Sequence, residues 1–177
     1  MICLAPLVAT LMYADREGVP GGVRTAIRRV TLPFKVALLY AKEPDGELAV
    51  PVAGVRAGQI KDTWHAPRSD GRLHEGLDIF ARRGAAVHSA TEGYVVRVGE
   101  SPLGGNTVFV LGAGGRSYYY AHLDSYAAGV AVGDYVTPET VLGYVGTTGN
   151  AAGAPPHLHF GVYTPQGAVN PLPLLTD

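Results

Sequence analysis

The sequence predicts a mainly β domain in which short antiparallel strands are joined by tight turns. The chain of 177 residues contains 24 glycines and 13 prolines. These turn residues recur roughly every ten positions from Val52 onward, which is typical of all-β domains. The hydrophobic content of 47% is enough for a core, and the length fits a single domain of this class.

The first 48 residues do not follow this pattern, and we interpret residues 1–48 as an N-terminal extension with helical and linker segments. Residues 1–14 carry no charge and have the length of a signal-peptide core, but they lack its basic leader. A clipped export signal and a buried helix both fit them, and they are too short for a stable membrane span. Pro33 is expected to interrupt any helix here. The domain itself is therefore expected at residues 49–177.

Three segments of this domain have the composition of strands and hairpins. They are TEGYVVRVG (91–99), NTVFVLGAGGRSYYYAHL (106–123) and DYVTPETVLGYVG (134–146). The second segment is expected to fold back at residues 112–115, and the third to form a strand pair around Thr137 and Pro138.

The segment PPHLHFGVY contains two histidines one residue apart, His157 and His159. Alternation along a strand puts both side chains on one face, roughly 7 Å apart at about 3.3 Å per residue. Such a pair suits a metal ligand next to a proton shuttle, because neutral imidazole binds zinc and titrates near physiological pH. On this motif alone, a pair of surface or satisfied core histidines is the favoured interpretation.

The segment LHEGLDIF places His74 four residues before Asp78. On a helix this spacing would resemble the zincin motif HExxH, with Glu75 as the base. Gly76 and the strand-like residues around Asp78 argue against a helix. We expect a loop that carries His74 into a strand that carries Asp78, with Glu75 facing solvent.

The segment RSYYYAHLD adds a third histidine, His122. Alternation predicts that Tyr118, Tyr120 and His122 share one face of a strand. Tyr120 could then add a donor to a cleft, but core packing is the simpler expectation.

These motifs supply five groups that can bind a metal or move a proton, all within one domain. Catalytic zinc sites keep three protein ligands and an open position, and the remaining two groups would suit a base and an oxyanion donor. A closed structural zinc site does not fit, since such sites use four cysteine or histidine ligands.

The ordered motifs resemble the lysostaphin/LytM-type zinc metallopeptidases, metallopeptidase family 23, which cleave peptidoglycan peptides. The resemblance extends over roughly residues 50 to 173, through HEGLDIF, AAVHSATEGYVVRVG, GGNTVFV, YYYAHLD, VGDYVTPETVLGYVGTTGN and PPHLHFGVY. It implies an antiparallel, barrel-sandwich-like peptidase domain. It also implies that zinc (Zn2+) is bound by His74, Asp78 and His159, and that His122 and His157 are catalytic. Which of these two histidines takes the proton stays open.

Some residues depart from the family pattern or are ambiguous. The loop TGNAAGAPPHLHF is about two residues longer than the common form, so substrate preference cannot be carried over. His65 and His88 are interpreted as structural or rim residues. Arg68 is expected to be an ordinary surface arginine, and turn chemistry explains Asn106.

Charge and composition limit the partners. The 14 basic and 15 acidic residues and a pI near 6.6 do not favour nucleic acid. We therefore expect peptidoglycan peptides as partners of a monomer in the periplasm, the cell envelope or outside the cell. The alternative function is a non-catalytic peptidoglycan-binding or amidase-activating protein on the same fold, although such relatives typically lose ligands that this chain keeps.

Overall fold

The computed structural model describes residues 20–68 and 71–177, and the expectations for residues 1–14 lie outside this part. Antiparallel strands dominate, which confirms the predicted mainly β class. The strands are β1 (Leu48–Ala49), β2 (Leu77–Phe80), β3 (Ala86–His88), β4 (Gly93–Ser101), β5 (Gly105–Leu111), β6 (Ser117–Tyr126), β7 (Tyr135–Val136), β8 (Val141–Val145), β9 (His157–Thr164), β10 (Gly167–Val169) and β11 (Leu175–Thr176).

Nine of these strands form one sheet, and six of them follow one path in the order β10, β9, β6, β5, β4, β7. Strand β2 pairs with β9, and β8 pairs with both β3 and β6. Within the described residues the path ends in β10 on one side and β7 on the other, so the sheet is not the barrel that the prediction allowed. The remaining strands, β1 and β11, pair in parallel and join the start of the domain to its end.

One face of the sheet is packed on the hydrophobic core. Tyr118, Tyr120 and Phe160 are its largest fully buried side chains, and many aliphatic residues of the same sheet pack around them. Full burial of a side chain such as Phe160 contributes roughly 1.5–3 kcal/mol. The central strands β6 and β9, which also carry histidines, therefore have little freedom to move.

The two predicted strand pairs have different outcomes. Strands β5 and β6 fold back at residues 112–115 as predicted, with a 3-10 turn at Ala113–Gly115. The pair predicted around Thr137 and Pro138 is wrong. A turn is present, with a 2.8 Å hydrogen bond from the Thr140 N–H to the Thr137 carbonyl, but β7 then pairs with β4, whereas β8 lies between β3 and β6.

The N-terminal extension contains a helix, α1 (Gly21–Tyr40), that runs through Pro33. The expectation that Pro33 interrupts a helix is therefore wrong. Proline removes the hydrogen bond to the Arg29 carbonyl, but both residues are exposed, so water can satisfy that carbonyl. Of the residues that the structure describes, none belongs to a helix with the length and apolarity needed to span a bilayer.

Helix α1 packs at the start of β4 and on the turn before β6. The Lys35 ammonium lies 5.0 Å from the centre of the Tyr94 ring, and Tyr40 packs on Gly115 so closely that a Cβ there would collide with its ring. An ion pair between Arg28 and Asp134 adds a further tether. The helix thus braces the β4 and β7 side of the sheet.

Candidate metal centre

Strands β2 and β9 bring three of the predicted site residues together. Asp78 and His159 lie directly opposite each other in the antiparallel register. His74 belongs to the loop before β2 and is buried. One ligand atom from each residue can be chosen so that all three lie within 4.8 Å of one another.

The arrangement of these ligand atoms fits a cation. The Nε2 atom of His74 lies 2.8 Å from Nδ1 of His159, and Oδ1 of Asp78 lies 3.1 and 3.2 Å from these two nitrogens. His74 donates from Nδ1 to the Thr63 carbonyl at 2.7 Å, so in the neutral ring Nε2 carries a lone pair. These spacings are close to those between two ligands of one tetrahedral zinc ion, about 3.4 Å for bonds of about 2.1 Å.

Asp78 is held by two further hydrogen bonds. The backbone N–H of Asp78 donates to Oγ1 of Thr63 at 3.0 Å, which fixes the main chain, and Nη2 of Arg68 donates to the carboxylate Oδ2 at 2.8 Å. Burial would raise the pKa of Asp78, but the neighbouring His159, His74 and Arg68 favour the ionised carboxylate and hold its pKa well below the usual range. The prediction of Arg68 as an ordinary surface arginine is wrong, since its charge is used to orient this carboxylate.

His122 reaches the same space through an irregularity in β6. Its φ of 63° is left-handed, which interrupts the alternation of side chains. Tyr118 and Tyr120 remain in the core, whereas the His122 ring lies 5.1 Å from the His157 ring and 5.9 Å from the His159 ring. The predicted shared face of Tyr118, Tyr120 and His122 is therefore wrong.

Backbone groups fix this conformation of His122. Its N–H donates to the Gly104 carbonyl at 2.8 Å, and its Nδ1 donates to the Thr148 carbonyl at 2.9 Å. Asn106 supports the next residues by donating from Nδ2 to the Leu123 and Asp124 carbonyls. The role of Asn106 is thus more specific than the predicted turn chemistry.

His157 shares a strand face with His159, as predicted. Its Nδ1 donates to the Pro155 carbonyl at 2.8 Å, and its Nε2 lies 3.8 Å from Oδ1 of Asp78. The exposed Phe80 ring covers it at a centroid distance of 5.3 Å. His122 and His157 therefore each use Nδ1 on a carbonyl, which leaves Nε2 as the lone-pair nitrogen of the neutral ring.

Two of the rings at this centre, those of His122 and His159, are kept neutral by burial. Burial lowers the pKa of His122 to about 4, with the nearby His159 acting in the same direction. Burial also lowers the pKa of His159, against the opposing effect of Asp78. Near pH 7 both rings are therefore uncharged, the form that a metal ligand or a proton acceptor needs.

The other predicted residues lie outside this cluster. Glu75 is exposed, and His74 and Asp78 lie on a loop and a strand, which confirms the rejection of the zincin motif. His65 stacks on Trp64 at 4.4 Å, and His88 ends the short strand β3. Neither is part of the ligand group found among the described residues.

Sequence reasoning missed three residues around the centre. Thr63 and Thr148 act through backbone carbonyls, for which the sequence carries no signal. Tyr119 lies beside the metal centre, and its ring centre is 5.8 Å from that of His159. Alternation along β6 could have predicted this position, because Tyr119 shares a face with Ala121, which lies opposite His159.

Fold and site together define a mainly antiparallel β domain with a centre suited to a metal ion. The sequence profile of peptidase family M23 matches residues 72–171. The chain belongs to peptidase family M23, which confirms the resemblance found in the motifs.

Individual relatives agree with this assignment. The chain is 36% identical over 141 residues to the L-Ala--D-Glu endopeptidase of Bacillus subtilis, a match that covers 76% of this chain and 43% of that protein. It thus spans less than half of that relative's length.

Solved structures show the same fold. The catalytic domain of lysostaphin from Staphylococcus simulans superposes with a TM-score of 0.58 at 31% identity, covering 66% of this chain and 92% of that domain. A zinc-containing peptidase from Vibrio cholerae superposes with a TM-score of 0.59 at 27% identity, covering 72% of this chain and 39% of that one.

Proposed function

We propose that this chain is a zinc-dependent endopeptidase that hydrolyses cross-links or stem peptides of bacterial peptidoglycan. The observation that carries the proposal is the convergence of three ligand atoms, from His74, Asp78 and His159, next to two further histidines with available Nε2 atoms. A binding protein needs the groove but not this combination. This combination of groups therefore favours an enzyme over the non-catalytic alternative.

In the proposed mechanism His74, Asp78 and His159 would hold a zinc ion, with Nε2, Oδ1 and Nδ1 as the available ligand atoms. Zinc when bound supplies Lewis-acid chemistry and lowers the pKa of water from ~15.7 toward ~7. Arg68 holds the second oxygen of Asp78, so that Oδ1 stays directed at the two imidazoles.

His122 and His157 are the proposed catalytic residues. In the neutral ring of each, Nε2 carries the lone pair, which can accept the proton of the attacking water. The protonated ring can then donate to the leaving amine or to the developing oxyanion. The carbonyls of Thr148 and Pro155 keep both rings in the tautomer that this exchange requires.

We place the peptidase domain at residues 49–177 and the extension at residues 1–48. The pairing of β1 with β11 supports this division, because it ties the first residues of the domain to the last. The names of the relatives support a location in the periplasm, the cell envelope or outside the cell, where peptidoglycan is found.

The test is to incubate the zinc-loaded chain with two purified peptidoglycans. One has D-Ala to diaminopimelate cross-links and the other has glycyl bridges, and mass spectrometry identifies the new termini. The His159→Ala variant serves as the inactive control. New termini that the control does not produce are expected, and their absence from both substrates would favour the non-catalytic alternative.

A further inference from the structure

A row of side chains runs across the sheet from the metal centre. Arg97 on β4 lies opposite Phe109 on β5, Phe109 lies opposite Tyr119 on β6, and Tyr119 lies opposite Gly161 on β9. Since directly opposite residues share a face, this row lies on the side of the sheet that carries His159.

The row forms the floor of a groove of about 440 Å³. The Phe109 and Tyr119 ring centres are 4.5 Å apart, and the Tyr119 ring contacts His159. The groove and the metal centre are therefore neighbours that share the Tyr119 ring. The lining of the groove consists of Arg97, Ser101, Pro102, Leu103, Phe109 and Tyr119.

Arg97 is the charged member of this lining. Its guanidinium carbon lies 5.6 Å from the centre of the Phe109 ring, and its side chain is exposed. Arg68 and Arg83 each pair with an aspartate, whereas no carboxylate among residues 20–68 and 71–177 forms an ion pair with Arg97. The far end of the groove thus presents a cation whose hydrogen-bonding groups are available to a ligand.

The loop before His157 packs against one wall of this groove. The Asn150 N–H donates to the Leu103 carbonyl at 2.9 Å, and Gly149 packs on Gly105 so closely that a Cβ on either would collide with the other's backbone. This loop therefore braces the turn between β4 and β5, which carries one wall of the groove.

We propose that this groove is a substrate subsite that selects peptides with a carboxylate about four residues from the bond to be cleaved. Neighbouring strands are about 4.8 Å apart, so β4 lies about 14 Å from β9. An extended peptide covers that span with about four residues. Phe109 and Leu103 contact its apolar atoms, and the Arg97 guanidinium forms a bidentate pair with the carboxylate. Neutral glycyl peptides lack this contact.

The proposal rests on the function proposed above, so its test needs a binding measurement as well as a rate. Two probes are used, peptide fragments of peptidoglycan with free carboxylates and the same fragments with those groups converted to carboxamides. The full zinc-loaded chain is compared with Arg97→Gln, Arg97→Lys and the control Arg29→Gln, which alters an exposed arginine of α1. Hydrolysis is measured as kcat/KM, and Kd by calorimetry in a His122→Ala background.

We expect the free-acid fragments to be preferred about tenfold in both measurements. Arg97→Gln should remove this preference, Arg97→Lys should keep part of it, and Arg29→Gln should leave it intact. Higher salt should weaken it, since exposed charges are screened. Equal binding of the two probes by the unaltered chain, or a preference that survives Arg97→Gln, overturns the subsite. A binding preference without any hydrolysis supports the subsite and contradicts the proposed function instead.

Discussion

Arg68 donates a 2.8 Å hydrogen bond to Oδ2 of Asp78, and Oδ1 of the same carboxylate faces His74 and His159. The guanidinium thereby holds one oxygen of the carboxylate and leaves the other directed at the two imidazoles. Asp78 itself is largely buried, so its side chain has few other orientations available.

Replacing Arg68 should weaken metal binding without removing a ligand. We expect Arg68→Ala to lower the zinc affinity about 10- to 100-fold, as loss of a group that orients a ligand typically does. Arg68→Lys should recover part of the affinity, because lysine keeps the charge but not the planar fork. Zinc affinity is measured by competition with a chelator. Arg83→Ala, which breaks the Arg83 to Asp124 pair, is the matched control, and unchanged affinity in Arg68→Ala would contradict the role of Arg68.

Mutation should distinguish the proposed metal ligand His159 from the proposed proton carrier His122. His159→Ala is expected to abolish both zinc binding and hydrolysis, since it removes one of three ligands. His122→Ala should abolish hydrolysis but leave zinc binding, because its ring contacts His159 without joining the ligand group. Zinc content and the release of peptides from peptidoglycan are measured on the same samples. Full activity of His122→Ala would rule out its assigned role.

The parts of the site that follow strand periodicity could be predicted from the sequence. His157 and His159 share a face because alternation along a strand has a period of two. Both residues belong to one continuous strand, β9. The sequence predicts a strand at Asp78 because Gly76 disfavours a helix and the residues that flank Asp78 have a strand-like composition. Local pattern and final structure agree at these positions.

The parts that depend on irregular backbone or on distant partners could not be predicted. His122 faces the cleft only because its φ is positive, and such a conformation is uncommon for residues other than glycine. The role of Arg68 depends on a loop that returns to β2, which no local pattern indicates. Helix α1 continues through Pro33 because that turn faces solvent, a property of its docking and not of its sequence.

The position of the His159 ring should depend on the lack of a side chain at Gly76. A Cβ on Gly76 would lie 2.7 Å from Cε1 of His159 and 2.8 Å from the Phe160 carbonyl oxygen, so Gly76→Ala must displace the imidazole or the strand. We expect weaker zinc binding and a lower melting temperature. Gly99→Ala is the control, because nothing lies within 4 Å of a Cβ at that position of β4. Equal zinc affinity in both variants would contradict this account.

Acid should destabilise the metal-free protein through His122. Burial lowers the pKa of His122 to about 4, whereas the unfolded chain has a histidine pKa near 6.5. As the pH falls from about 7 toward 4, the unfolded state takes up this proton and the folded state does not, so the free energy of unfolding decreases by up to about 3 kcal/mol. Asp78 acts in a lower window, since its pKa is lowered from an unfolded value near 3.9 and its contribution is lost only below that pH. Urea unfolding between pH 7 and 4.5 in the presence of a chelator should therefore show a smaller loss of stability in His122→Gln than in the unaltered chain, and identical pH dependence in the two would contradict the buried, neutral state of His122.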